Sequence, residues 1–145
     1  TYTDLVLVMT VASDTDDYFA GITLNSDTGS NYSNTQLVGD GSTASTSRQT
    51  NNTYLWNSSG GGIGWGTSLN YPTTNIINFM NYSNTTTYKS ILSRSNPMRA
   101  STARVTLNAG LWRNTSAITT ITFTMGGSSK FVSGSTLTLY GITAA

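Results

Sequence analysis

Apolar and polar positions alternate along most of this chain. Leu5, Leu7, Met9 and Val11 interleave with Val6 and Val8, which predicts a first strand buried on much of both faces. Beyond the acidic turn SDTDD (13–17), the run YFAGITLN (18–25) sets Ala20, Ile22 and Leu24 against Gly21 and Thr23. A polar stretch from Ser26 to Thr53 is broken by the short TQLV (35–38). NSSGGGIGWG (57–66) reads either as a mobile loop or as a glycine-rich strand beside a close neighbour. Four further runs follow: NIINFMNY (75–82), TTYKSILSR (86–94), ARVTLNAGLWR (103–113) and AITTITFTM (117–125). The last run, FVSGSTLTLYGI (131–142), sets Leu137 and Leu139 against Thr136, Thr138 and Tyr140. It is expected to lie inside a sheet, with Gly134 at a turn and Gly141 at a bulge.

Turn signals such as DTGSN, GDGS, RSNP and GGSS separate these runs. About eight short strands at fairly regular spacing predict an all-β fold. The expected architecture is a single antiparallel β-sandwich, jelly-roll-like, over residues 1–145 as one domain. No fixed-period repeat is evident.

Composition sharpens the class. Charged residues are 9% of the chain against a typical share of about 25%, and Thr, Ser and Asn fill the deficit. Thr suits a pleated surface, Ser and Asn favour turns, and Glu is absent. Three Trp, eight Tyr and four Phe with a net charge of +1 argue against disorder and for a packed, neutral domain. Arginines scattered at 48, 94, 99, 104 and 113 make no nucleic-acid footprint. No run approaches the roughly 18 apolar residues of a membrane-spanning helix, and no signal-peptide pattern opens the chain.

Candidate chemistry is sparse. Without His or Cys, neither Ser-His-Asp nor Cys-His catalysis can be assembled, and zinc or copper sites lose their usual ligands. The carboxylates are Asp4, Asp14, Asp16, Asp17, Asp27 and Asp40. Asp14, Asp16 and Asp17 could approach as an acid pair for glycoside hydrolysis, or gather calcium. The segment lacks EF-hand spacing, and a solvated turn between two strands accounts for it. No catalytic residue, metal or cofactor is therefore assigned. Six N-x-[ST] triplets are about what so much Ser and Thr produces by chance.

Trp56, Trp65 and Trp112, with Tyr32, Tyr54, Tyr71 and Tyr82, could stack on sugar rings, though such rings more often fill a core or an interface. Trp56 and Trp65 flank the glycine-rich segment. With Tyr54 they are the candidate contacts for a partner or a glycan. The stretch 90–105 holds Arg94, Arg99 and Arg104, which could pair with aspartates of a neighbouring subunit.

Five segments together resemble a known family: YTDLVLVMTVAS (2–13), SDTGSNYSNTQLVGDGS (26–42), NYSNTTTYKSILSRSN (81–96), GLWRNTSAITTITFT (110–124) and FVSGSTLTLYGI (131–142). They look like the small β-rich virion structural proteins of tailed bacteriophages, common among phages of cyanobacteria and other aquatic bacteria. NTTTYK…SRSN and GSTLTLYGI are the most specific parts, and 50–75 and 97–103 the least alike. Members usually carry a short stretch before the YTDLVL strand, which leaves open whether an N-terminal arm precedes it. The resemblance implies a non-enzymatic protein on the outer surface of the virion. The expected role is a homotrimeric capsid decoration (cement) protein bound to the major capsid protein or other virion proteins. The alternative is a tail- or head-fibre receptor-binding domain that holds host surface carbohydrate. Neither reading needs a cofactor, a nucleic acid or a membrane.

Overall fold

The computed structural model describes residues 2–15, 20–56, 70–98, 103–126 and 128–143, and every element among them is a strand. In chain order these are β1 (Asp4–Val11), β2 (Ala20–Leu24), β3 (Tyr32–Gly39), β4 (Ala44–Asn52), β5 (Thr73–Phe79), β6 (Lys89–Ser95), β7 (Val105–Trp112), β8 (Ile121–Met125) and β9 (Thr136–Ile142). Seven form one sheet in the order β4-β3-β7-β6-β5-β1-β9, and β2 pairs with β8 in a second. Every pairing is antiparallel. The all-β expectation therefore holds, with most strands gathered into a single broad sheet.

Register divides the large sheet into two faces, because residues opposite one another across an antiparallel pair share a face. One face, called inner here, carries Leu7, Met9 and Val11 of β1, Ile77 and Phe79 of β5, Ile91 of β6 and Trp112 of β7, all buried. Ile22 and Leu24 of β2, with Leu55, Trp56 and Ile118, complete the same core cluster. Phe123 and Met125 of β8 pack against it. The small sheet thus shares one core with that half of the inner face. Leu55 is tied to β2 by paired backbone bonds with Ile22, of 2.9 and 3.1 Å.

Gly110 makes that approach possible. A Cβ there would stand 2.9 Å from Leu55 Cδ2 and 3.4 Å from the Trp56 ring. A Gly110→Ala variant is expected to lose about 1–2 kcal/mol, a fall of several degrees in a thermal melt. An unchanged melting temperature would mean that Leu55 yields without cost.

The other half of the inner face is polar. Thr106, Ser95 and Asn75 stand side by side on β7, β6 and β5, and Gln36, Asn108 and Ser93 form the next row on β3, β7 and β6. All six are buried. Asn108 Nδ2 donates to Ser93 Oγ at 3.1 Å, whereas Asn75 finds no partner for either amide atom among the described residues.

Two expectations need correction. The stretch 26–53 contains two full strands, β3 and β4, where only 35–38 stood out in the sequence. The final strand does join the sheet, but at its edge: among the described residues β9 pairs with β1 alone, and all seven of its residues are exposed. Gly134, at a φ of 94°, does form a turn, with Ser135 N donating to Val132 O at 3.1 Å. Gly141 makes no bulge, since its pairing with Leu5 continues the register without a break. The Tyr2 ring lies against it where a side chain would stand.

Candidate functional site

The outer face of the large sheet is covered by no other described strand. Its side chains come from the alternate positions of each strand, and many of them are exposed. Register lays them in rows. One runs Leu37, Leu107, Arg94, Ile76 and Val8 across β3, β7, β6, β5 and β1. The next runs Thr35, Ala109, Leu92, Asn78, Val6 and Tyr140, reaching β9. Val105 is 65% exposed and Leu107 45% exposed, and Leu37, Leu92, Leu111 and Ile142 are also well exposed. An antiparallel sheet that faces water usually turns polar residues outward. Here leucine and valine are outward, while Thr106 and Asn108 of the same strand are buried. Contiguous apolar surface of this kind marks an interaction site.

Arg94 stands in the middle of that face. It is exposed, lies between Leu107 and Ile76 in its row, and makes no hydrogen bond or ion pair among the described residues. A shallow depression of about 430 Å³ opens beside it, lined by Thr74, Ile76, Asn96 and Val105. A second, of about 300 Å³, is bordered by Arg48, Thr35 and Leu111. Both are open, without the enclosed walls that small-molecule sites need. The charge pattern is a guanidinium set in an apolar, hydroxyl-fringed plane. Arginine, with aromatic residues and methionine, is among the residue types enriched at protein interfaces.

The residues picked out in the sequence are not brought together. Arg104 lies in the connection before β7, half-buried, with its backbone N–H donating to Pro97 O at 2.9 Å. Arg99 and Trp65 lie outside the described residues. Trp56, expected to stand exposed beside the glycines, is 1% exposed and belongs to the core. Its φ of 59° places it in the left-handed region, uncommon for a bulky residue, and turns the ring inward. As a stacking platform for sugar it is unavailable. Tyr54 is half-buried, its ring within 2.8 Å of where a Cβ on Gly21 would be.

The acidic turn offers no cluster either. Asp14 caps backbone: its Oδ1 accepts from Lys130 N at 2.8 Å, and its own N–H donates to Lys130 O at 3.1 Å. Asp16 and Asp17 lie outside the described residues. No group of three metal-ligating side chains occurs among the described residues.

Asp27 has the most developed surroundings of the carboxylates. Its Oδ2 accepts from Trp112 Nε1 at 2.7 Å and from Asn31 Nδ2 at 2.9 Å, and its Oδ1 accepts from Gly29 N at 2.8 Å. Burial pushes this carboxyl upward, but the hydrogen bonds from Trp112, Asn31, Gly29 and Asn114 outweigh it and hold the pKa below the ordinary value. Tyr32 stacks on Trp112 with ring centroids 6.4 Å apart. Burial, first of all, raises the Tyr32 phenol to about 12. This node joins β2, β3 and β7.

Compared with known proteins, the chain matches no family model, no curated protein and no solved structure.

Proposed function

We propose that this chain is a non-enzymatic structural protein of a bacteriophage virion, a capsid decoration protein that stabilises contacts between capsomers. In this reading it is a two-layer β-sandwich of the jelly-roll kind that assembles as a homotrimer on the outer surface of the particle. The open outer face carries the proposal. A broad apolar plane with Val105, Leu107 and Leu37 exposed calls for burial against a flat partner. Few charges and many hydroxyl and amide groups suit contacts made of many modest hydrogen bonds, each about 0.5–1.5 kcal/mol. The virion setting comes from the resemblance of the NTTTYK…SRSN and GSTLTLYGI segments. Repetition over many copies on a shell strengthens a weak contact.

Cryo-electron microscopy of virions carrying the chain tests the setting. Many copies at symmetry-related points on the head, with the outer face against a sibling or the shell, are expected. A few copies at the tail would overturn it. The face itself is tested on recombinant protein. Leu107→Glu is expected to reduce the trimer to smaller species in light scattering while leaving the melting temperature within about 1 °C, because the site is exposed. An unchanged trimer in that variant removes this face from the assembly.

A further inference from the structure

We infer that the free edge of β9 is a pairing site for β9 of a second copy, joining two large sheets antiparallel across a two-fold axis at Leu139. The inference stands on the edge itself and goes beyond the virion reading.

An edge strand presents unpaired backbone N–H and C=O groups, and natural proteins guard such strands with charges, proline, bulges, shortness or a cover. The two edges of this sheet contrast. β4 has no large apolar side chain, contains Arg48, and is paired with β3 through an irregular register between Tyr32 and Asn34. β9, TLTLYGI, has no charge, no proline and no register break, and every residue is exposed. Leu139 is 52% exposed and Tyr140 53%. At seven residues it is about 23 Å long, an ordinary strand length.

The occupant follows from the strand's own sequence. Full antiparallel overlap with a second β9 sets Leu139 opposite Leu139 of the other copy, Thr138 opposite Tyr140, Leu137 opposite Gly141 and Thr136 opposite Ile142. Leu137 and Leu139 share a face with Gly141, the glycine that the Tyr2 ring covers. Leu137 of each copy therefore meets Tyr2 of the other beside a central leucine pair. On the opposite face Thr138 supports Tyr140. No like charges meet anywhere along the joint, whereas self-pairing of β4 would bring two Arg48 side chains onto one short strand pair. Isologous pairing also closes, leaving no free β9 edge to propagate. The joint is small beside the roughly 1,200 Å² of a standard stable interface, so association should depend on concentration.

The natural chain, Leu139→Lys and Leu139→Cys test this together. Sedimentation equilibrium over a dilution series is expected to show an even number of copies, dimer or paired trimers. Leu139→Lys should halve that mass with its melting temperature unchanged. The chain has no other cysteine, so Leu139→Cys should form a disulfide-linked dimer under mild oxidation at least ten-fold faster than Thr46→Cys on the other edge. A trimer or monomer at every concentration, an unchanged mass for Leu139→Lys, or equal cross-linking at both edges overturns the inference. Open-ended polymer would show β9 pairing with β4 instead, which also overturns it. Leu107→Glu acts on the outer face and Leu139→Lys on the edge, so failure of either idea is separately visible.

Discussion

A Lys89→Glu variant is expected to lose about 3–5 kcal/mol, a large share of the roughly 5–15 kcal/mol that holds a domain folded. Lys89 opens β6 on the inner face, in register with Trp112, and is fully buried. Its Nζ donates to Thr87 O at 2.8 Å and to Thr115 O at 3.0 Å, and to no carboxylate among the described residues. A carboxylate there would face two carbonyl oxygens, acceptors set against an acceptor. Lys89→Met separates charge from packing: it keeps the stem, removes the buried charge and should fold with stability near that of the natural chain. Burial lowers the Lys89 pKa in the folded state. The unfolded chain therefore binds more protons between that depressed value and the ordinary 10.5, so stability should rise with pH across this window. Above pH 10 the raised Tyr32 value opposes the trend, because its contribution is lost between 10 and about 12. Urea unfolding followed up to pH 10, below the Tyr32 limb, should thus show a stability that rises as pH approaches the ordinary lysine value, a rise that is absent in Lys89→Met. A flat profile in the natural chain sinks the argument.

β1 and β5 were legible as strands, through Leu7, Met9, Ile77 and Phe79 at alternate positions. β1 was expected to be buried on much of both faces, and its Val6 and Val8 are only half-buried. β4 announces nothing, because an edge strand exposed on both faces needs no apolar residue, and ASTSRQTNN reads as loop. In β7 the leucines suggest the wrong face. Gly110 and Trp112 fix the inward parity, one by admitting Leu55 and Trp56 and the other by reaching Asp27. Val105, Leu107 and Leu111 must then point outward, and Thr106 and Asn108 inward. That inversion creates the candidate interaction face, and alternation alone cannot reveal which parity is buried. Trp56 misled for a local reason: the glycines after it suggest an exposed loop, and its positive φ leaves no mark in the sequence. Arg94 was noticed as a charge, but its place among apolar neighbours comes from strands distant in the chain.

Removing the Asp27 carboxylate should be the next most damaging change away from Lys89. Asp27→Ala leaves the Trp112 indole N–H, on a fully buried side chain, without its acceptor and frees Asn31 and the Gly29 amide. Hydrogen bonds to charged groups contribute about 1.5–3 kcal/mol, and an orphaned buried donor adds its desolvation cost. A loss of about 2–4 kcal/mol is expected, or roughly 5–15 °C in melting temperature. Trp112→Phe should lose less, since it removes the donor along with the bond and retains most of the stacking on Tyr32. The pair of variants should be non-additive: Asp27→Ala made in the Trp112→Phe background should cost measurably less than in the natural chain. The acid limb gives an independent check. The folded-state pKa of Asp27 is depressed, so its contribution is complete above the ordinary carboxylate value of 3.8 and fades as pH falls through the lower folded value. Stability should therefore fall in acid for the natural chain and fall less steeply in Asp27→Ala. Equal acid profiles, or additive costs in the double variant, would show that the Asp27–Trp112 bond does not hold β7 to the turn after β2.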